Sequence, residues 1–198
     1  SQLGFSQQIT CSTKDKEAVE EKIEAIDRLL QPDFGSTIVS VGKTFMKTPY
    51  VAKTLEIGDT ETLVVNLQGL DCTTFVENVL AFSKLLRQKD PSFNTFIVTL
   101  LSLKTTFNTF IKNLETIRYK DGELDGYASR LHYFSEWIAN NAEKGILKDI
   151  TGEIGGREIT KDINFMSTHR DLYPFLADEA NFDKIKASEN YLNSQAIC

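Results

Sequence analysis

The chain has 198 residues, enough for one domain or two small subdomains sharing a core. It is 41% hydrophobic and 25% charged, an ordinary globular composition, and its formal net charge of -6 argues against general nucleic-acid binding, which needs a basic face. No apolar run approaches the roughly 18 residues of a membrane span. The longest, Phe96 to Leu101, belongs to an amphipathic helix. The chain begins at Ser1 rather than Met, which allows a mature form secreted after signal-peptide removal.

In chain order, residues 1–14 read as a loose polar segment ahead of a domain over 15–198. A helix is predicted from Asp15 to Gln31. Val19, Ile23, Ile26 and Leu30 recur at helical spacing, Glu20, Glu21, Lys22 and Glu24 face water, and Pro32 ends it. Ser36 is placed to cap a second helix carrying Ile38, Val39, Val41 and Phe45, which Thr48-Pro49-Tyr50 breaks. Thr62 to Leu67 is β-branched and predicts a short strand, closed by Gly69. Asp71 then stands where an N-cap belongs, and the apolar stripe Phe75, Val76, Val79, Leu80, Leu86 makes the helix it opens a core helix.

Pro91 suits the first turn of a further helix, running through Phe93, Phe96, Ile97, Leu100, Leu103, Phe107, Phe110, Ile111 and Leu114; the span has room for two. Tyr127 to Asn141 is dense in aromatics and charge, with Arg130, His132, Tyr133, Phe134 and Trp137, the single tryptophan. Ile150 to Thr160, with Gly155-Gly156 at its centre, predicts a β-hairpin. Asn164 to Cys198 reads as loops with one or two helices. The expected class is α+β, mainly helical, with a little antiparallel sheet.

Three cysteines, Cys11, Cys72 and Cys198, are too few and too widely spaced for a disulfide framework, and two histidines with scattered cysteines lack metal-ligand spacing; neither metal nor cofactor is expected. Cys72 invites another reading. If Asp71 caps the helix, Cys72 is its first residue, and its sulfur lies by unpaired backbone N–H groups at the positive end of the helix dipole. A free thiol is only about 3% thiolate at pH 7, and a helix end contributes at most roughly 1.5 pKa units. Full activation therefore needs a cationic neighbour, normally histidine. The same N–H groups can hold the oxyanion of a tetrahedral intermediate. The bland alternative is a small, inert core thiol.

Thr48-Pro49-Tyr50-Val51 followed by Leu70-Asp71-Cys72-Thr73-Thr74-Phe75-Val76 resembles the NlpC-type papain-like cysteine peptidases, in which a T-P-Y turn precedes an aspartate–cysteine pair opening a helix. Those enzymes usually have Ser-Gly after the cysteine. Thr73-Thr74, with Arg130-Leu131-His132-Tyr133-Phe134 and Glu136-Trp137-Ile138, resembles a narrower group, the N-acetylmuramoyl-L-alanine amidase-like family, some members of which were once labelled xylanases. The resemblance extends from Ile26 onward. It implies cleavage of the amide joining N-acetylmuramic acid to L-alanine in peptidoglycan fragments, in the periplasm or at the cell envelope. Cys72 would be the nucleophile; Tyr50, Asp71 and Thr73 would line the site, and Arg130, His132 and Tyr133 would help form the substrate groove.

The wider family carries its catalytic histidine on a strand of a small sheet that follows the helical part. His132 and His169 do not sit in such a pattern, so the sequence predicts the helical portion of an NlpC-type amidase, with the sheet subdomain absent. Acid–base help is worth roughly 10²–10⁴-fold, so the chain alone is expected to turn over weakly unless His132 reaches Cys72. Three further readings compete: a non-catalytic domain that binds cell-wall fragments, a murein peptide endopeptidase of the same fold, and a glycoside hydrolase. For the last, the 28 acidic residues offer too many carboxylate pairs for spacing to select one. Trp137 reads more readily as core than as a sugar platform, and His169-Arg170 as a loop or cap pair, with Arg170 also suited to a carboxylate.

Overall fold

A computed structural model describes residues 8–89, 103–157 and 162–195. The chain divides into two compact units, one of residues Ser1–Leu55 and Thr62–Ile117, the other of Glu56–Glu61 and Arg118–Cys198.

In the first unit, β1 (Ile9–Cys11) pairs in parallel with β2 (Leu63–Val65), with Ile9 opposite Leu63 and Cys11 opposite Val65. The segment expected to be loose is therefore ordered from Ile9. Its strand, Ile9-Thr10-Cys11, is largely exposed and only three residues long, too short for the alternation by which a half-buried strand is read. What holds it is backbone pairing and polar contact: Leu63 N–H donates to the Gln8 carbonyl at 2.9 Å, and the Thr10 and Thr62 hydroxyls meet at 2.7 Å.

Ser12 caps α1 (Thr13–Ile26), accepting from Asp15 N–H at 3.0 Å. The Asp15 carboxylate is buried. It takes the Ser12 hydroxyl at 2.5 Å on one oxygen and the Leu67 N–H at 3.0 Å on the other, tying the start of the helix to the end of β2. The helix stops short of the predicted Gln31. Leu29 N–H turns back to the Ile26 carbonyl at 2.7 Å, and Gln31 N–H goes to the Thr37 hydroxyl at 3.0 Å. The next helix, α2 (Phe34–Lys43), is capped by Asp33 and not by Ser36, whose N–H is the donor that Asp33 accepts, at 2.7 Å.

Two longer helices complete the unit: α3 (Cys72–Lys89) and α4 (Leu103–Arg118). Their core faces are Val79, Phe82, Leu85 and Leu86 against Phe110, Ile111, Leu114 and Ile117, with Phe82 and Phe110 stacked at 4.3 Å. Such side chains contribute roughly 1.5–3 kcal/mol each when fully buried. The predicted helix start at Pro91 lies outside the described residues; α4 holds the later half of that prediction.

In the second unit, Tyr119 and Arg130 form an antiparallel bridge, and α5 (Phe134–Glu143), a short α6 (Phe165–Thr168) and α7 (Glu179–Asn193) follow. Tyr127, Met166, Phe175, Leu176 and Ile185 are its apolar cluster. The predicted hairpin at 150–160 is not formed over its described part, residues 150–157. Gly156 N–H closes on the Thr151 carbonyl at 2.8 Å and Ile154 N–H on that of Ile150 at 3.1 Å, so the segment is a local turn. Gly155 has φ +92°, and a Cβ on Gly156 would stand 2.6 Å from the Thr151 carbonyl oxygen, so the glycine pair serves close approach rather than a strand reversal. Residues 158–160 lie outside the described residues. The architecture is mainly helical α+β, with a parallel two-stranded sheet.

The Asp15 carboxylate joins elements 52 residues apart through a buried bond. Asp15→Ala is expected to cost about 2–3 kcal/mol in urea denaturation, because it strands the Leu67 N–H and removes a helix cap contact; Asp15→Asn, which keeps an acceptor, should lose less.

Candidate active site

Tyr50 and Leu70 form an isolated parallel bridge. Leu70 N–H donates to the Pro49 carbonyl at 3.0 Å, and Val51 N–H donates to the Leu70 carbonyl at 3.1 Å. The T-P-Y-V turn is thus stitched to the residue just before Asp71-Cys72. The contact is close because residue 69 is glycine: a Cβ there would lie 2.4 Å from Val51 Cγ2 and 2.9 Å from its Cβ. Asn66 Oδ1 accepts from Gln68 N–H at 2.9 Å and Gly69 N–H at 3.3 Å, bending the chain out of β2 and into the bridge.

Asp71 caps α3 as predicted. Its Oδ1 accepts from Thr74 N–H at 2.8 Å, and its own N–H donates to the Thr74 hydroxyl at 2.9 Å. This reciprocal box satisfies the third N–H of the helix; Phe75 N–H, the fourth, goes to the Asp71 carbonyl at 2.9 Å. The N–H groups of Cys72 and Thr73, first and second in the helix, have no intrahelical acceptor. Cys72 itself is exposed, Thr73 half-buried, and Tyr50 73% exposed. An accessible thiol and two donors with no acceptor among the described residues therefore follow the Tyr50–Leu70 bridge, which carries an exposed aromatic ring. Phe75, predicted as core, is only partly so: it is 37% exposed and meets Phe45 edge-on at 6.1 Å.

Arg130, His132 and Tyr133 belong to the second unit, where each has an internal partner. Arg130 is 5% exposed and pairs with Glu56, with its Nε 3.5 Å from Glu61 Oε1 and its guanidinium 5.0 Å over the Tyr127 ring. Tyr119 donates to Glu61 at 2.8 Å and Tyr127 to Glu56 at 3.4 Å. Burial works against the Arg130 charge, but Glu61 and Glu56 outweigh it and hold the guanidinium above its usual value. Burial pushes the Glu61 carboxyl up, against the pull of Arg130 and the Tyr119 hydrogen bond. Arg130, expected to help form the substrate groove, lies at the centre of a buried ion cluster. Neither glutamate stood out in the sequence, because both lie in an irregular segment with no periodicity to mark a face.

His132 Nε2 is 2.9 Å from the Tyr127 carbonyl, so that nitrogen carries the proton, and the ring packs 4.5 Å from the Tyr127 ring. Burial, and then the charge of Arg130, hold the imidazole well below its ordinary pKa, neutral at pH 7. The Tyr133 hydroxyl donates to buried Glu189 at 2.5 Å and accepts from Met166 N–H at 3.0 Å; burial and then the Glu189 bond push it up. Trp137 is 2% exposed and stacks on Phe134 at 5.3 Å, so it is core rather than an open sugar platform. Arg170 pairs with Glu179 at 2.8 Å and donates to the Ala177 carbonyl at 3.1 Å. The carboxylate it suits is supplied by the chain itself. Among the described residues no group of three or more His, Cys, Asp or Glu is arranged to hold a metal ion, and no helix is long and apolar enough to cross a membrane.

A family model described as AmiA-like, N-acetylmuramoyl-L-alanine amidase-like, matches residues 40–197. The chain belongs to this amidase-like family. The match takes in Tyr50, Cys72 and the Arg130–Trp137 segment alike. Among solved structures, the amidase-like chain is similar to an N-acetylmuramoyl-L-alanine amidase from Bacteroides uniformis, at 38% identity and TM-score 0.69, over 83% of this chain and 63% of that one. A second structure of a protein so named, from the same organism, matches at 36% identity and TM-score 0.68, over 82% of this chain and 63% of that one. A candidate xylanase from Bacteroides fragilis matches at 36% identity and TM-score 0.63, over 78% and 62%. The chain thus spans a little under two thirds of the length of these relatives. A comparison with curated proteins gave no match.

Two predictions come from these contacts. Gly69→Ala should force Val51 away and open the Tyr50–Leu70 bridge, costing about 1–3 kcal/mol in denaturation; Gly69→Ala combined with Val51→Gly should recover most of the loss. For Glu61, the folded pKa is raised, so its contribution to stability is complete below the unfolded carboxylate value and is lost as pH rises through the folded one. Melting temperatures recorded from acid to neutral pH should show this fall, and Glu61→Gln should flatten it.

Proposed function

We propose that the protein is a cysteine amidase that cleaves the bond between N-acetylmuramic acid and L-alanine in peptidoglycan fragments, with Cys72 as nucleophile, and that it works in the periplasm or at the cell envelope. The observation that carries this is the exposed Cys72 thiol on the first residue of α3, beside two N–H groups without intrahelical acceptors and two residues beyond the Tyr50–Leu70 bridge. The family and the relatives named as amidases supply the substrate class. Thr48-Pro49-Tyr50 and Asp71-Cys72 support a place among the NlpC-type papain-like enzymes.

The chemistry follows from the donors. The Cys72 thiolate attacks the lactyl carbonyl carbon of muramic acid, and a C–S bond forms as the carbonyl oxygen takes the negative charge. The N–H groups of Cys72 and Thr73 hold that oxyanion; removing one such donor elsewhere costs about 10²–10³ in rate. The C–N bond breaks as the L-alanine nitrogen takes a proton from water, which replaces the one the thiol gave up to solvent. Water then hydrolyses the muramoyl thioester and returns the thiol. Tyr50, exposed beside this point, is the aromatic wall of the site. Arg130, His132 and Tyr133 serve the second unit's own packing, with the neutral His132 holding the Tyr127 carbonyl.

The test is release of L-alanyl peptide from a muramoyl-L-alanyl peptide, beside an equal concentration of plain L-Ala-D-Glu peptide. The muramoyl substrate should be cleaved faster, and Cys72→Ser should drop the rate below about one-thousandth, as loss of a catalytic nucleophile does. A preference for the plain peptide moves the protein to the endopeptidase branch. Undiminished turnover by Cys72→Ser, or turnover abolished by a chelator, sinks the cysteine mechanism. Tight binding of the fragment without turnover by either protein identifies a binding domain.

A further inference from the structure

We propose that the cleft between α1 and the Thr48-Pro49-Tyr50 turn is a subsite for a carboxylate of the substrate's peptide, and that Lys22 is the cation that holds it and sets specificity. The inference rests on the cysteine-amidase reading of Cys72 for the identity of the ligand.

Ala18, Glu21, Lys22 and Ala25 are spaced at i, i+3, i+4 and i+7 and so share one face of α1. Two of the four are alanine. The face is therefore shallow, and it leaves a cleft of about 280 Å³ against Phe45 and Thr48. Lys22 crosses this space. Its Nζ donates to the Thr44 carbonyl at 2.9 Å and lies 4.2 Å over the Phe45 ring. The Thr44 hydroxyl gives its own proton to the Val41 carbonyl at 2.7 Å, so toward Lys22, 3.3 Å away, its oxygen accepts. An ammonium has three N–H donors, and the third has no acceptor among the described residues.

A charge taken out of water is costly unless it is paired. Lys22 is half-buried, yet no carboxylate is within ion-pair reach of it among the described residues. Glu21, which also lines the cleft, is exposed and does not offset the loss of hydration: burial alone lowers the Lys22 pKa. The cleft thus holds a poorly hydrated cation with one donor to spare, which a carboxylate takes as a charge-assisted hydrogen bond. Its position suits the reaction. Thr48 opens the turn that carries Tyr50, and Phe45, under the ammonium, meets Phe75 edge-on at 6.1 Å, one turn along α3 from Cys72. In an L-Ala-D-Glu peptide the glutamate supplies the first carboxylate beyond the bond to be cut. Lys22 therefore selects the peptide and takes no part in bond cleavage.

The experiment compares two muramoyl-L-alanyl-D-glutamyl peptides that differ only in the glutamate α-carboxyl, free in one and amidated in the other, with the γ-carboxyl blocked in both. Steady-state rates are read on the protein, and binding is read on Cys72→Ser by calorimetry, which needs no turnover. The acid should be favoured at least about ten-fold, the scale of one charge-assisted hydrogen bond, and mostly in KM. Lys22→Met should remove that preference by weakening the acid alone, and Lys22→Arg should keep part of it. If Lys22 serves only to hold Thr44 at the end of α2, Lys22→Met lowers the melting temperature and leaves the acid-to-amide ratio in place, which overturns the proposal. Ala25→Glu is the second variant, and it decides the matter if Lys22→Met fails to fold. It puts a carboxylate on the same face of α1, three residues from Lys22, and should cut the ratio by claiming the ammonium; an unchanged ratio overturns the proposal. Equal binding of the two peptides by Cys72→Ser overturns it too, as does binding of neither. Should Cys72→Ser keep its turnover, the amidase reading falls, while the acid-to-amide ratio still decides what Lys22 does.

Discussion

The first unit depends on a pair of backbone hydrogen bonds across Leu70, one to the Pro49 carbonyl and one from Val51 N–H. Each contributes only about 0.5–1.5 kcal/mol net. Their importance is geometric. They bind a turn after α2 to the residue before the α3 cap, and so tie exposed Tyr50 to the backbone two residues ahead of exposed Cys72. Gly69 makes the approach possible, because any side chain there would collide with Val51. Asp15 reinforces the same stretch from the other end by taking the Leu67 N–H. The backbone from residue 63 to residue 72 is thus gripped by β1, α1 and the T-P-Y-V turn in succession, before α3 begins.

Residues on α3 show how one helix serves two tasks. Its far side is ordinary core: Val79, Phe82 and Leu86 are buried. Its first turn is not. Asp71 and Thr74 close the cap on each other, and the N–H groups of Cys72 and Thr73 have no acceptor among the described residues. A helix start is a site of unmet donors in any protein. This one is capped as α1, α2 and α7 are, by a side chain that accepts from the third N–H; what sets it apart is the exposed cysteine at its first position.

The second unit is organised by charge instead. Arg130 is buried and holds Glu56 and Glu61, while Tyr119 and Tyr127 supply hydrogen bonds to the same carboxylates. Pairs of this kind are costly to desolvate, and their removal one partner at a time leaves an uncompensated charge, so they fix a particular arrangement more than they add stability. The effect is to anchor the segment from Glu56 to Glu61, which the sequence inserts between α2 and β2, into the unit built by the C-terminal half. Tyr133 and Glu189 do the same for α6 and α7: the carboxylate takes the Tyr133 hydroxyl and the Ser167 N–H together. The charged and aromatic density at Tyr127 to Asn141 thus has a structural account before any ligand is considered.

What the sequence determined by itself was local. The Asp71 cap, the helix it opens, the short strand near Leu63 and the mainly helical class all follow from residue type at short range, where capping and periodicity operate. Asp33 is an equally local cap for which Ser36 offers the same residue pattern in sequence, and Thr74 stands three residues after Asp71, where the partner of a cap belongs. The tertiary structure alone decided the rest. β1 is three largely exposed residues, too few to show a period, and exists because β2 offers it a ladder. Gly155-Gly156 is a signal for close backbone approach, and only the fold shows that the approach is to Thr151 rather than across a hairpin. Arg130 reads in sequence as a ligand-binding cation, and only the fold pairs it with Glu56 and Glu61, more than 60 residues earlier in the chain. Long-range pairing of polar groups leaves no periodic trace, since a charge looks the same in sequence whether its partner is a substrate or a distant carboxylate.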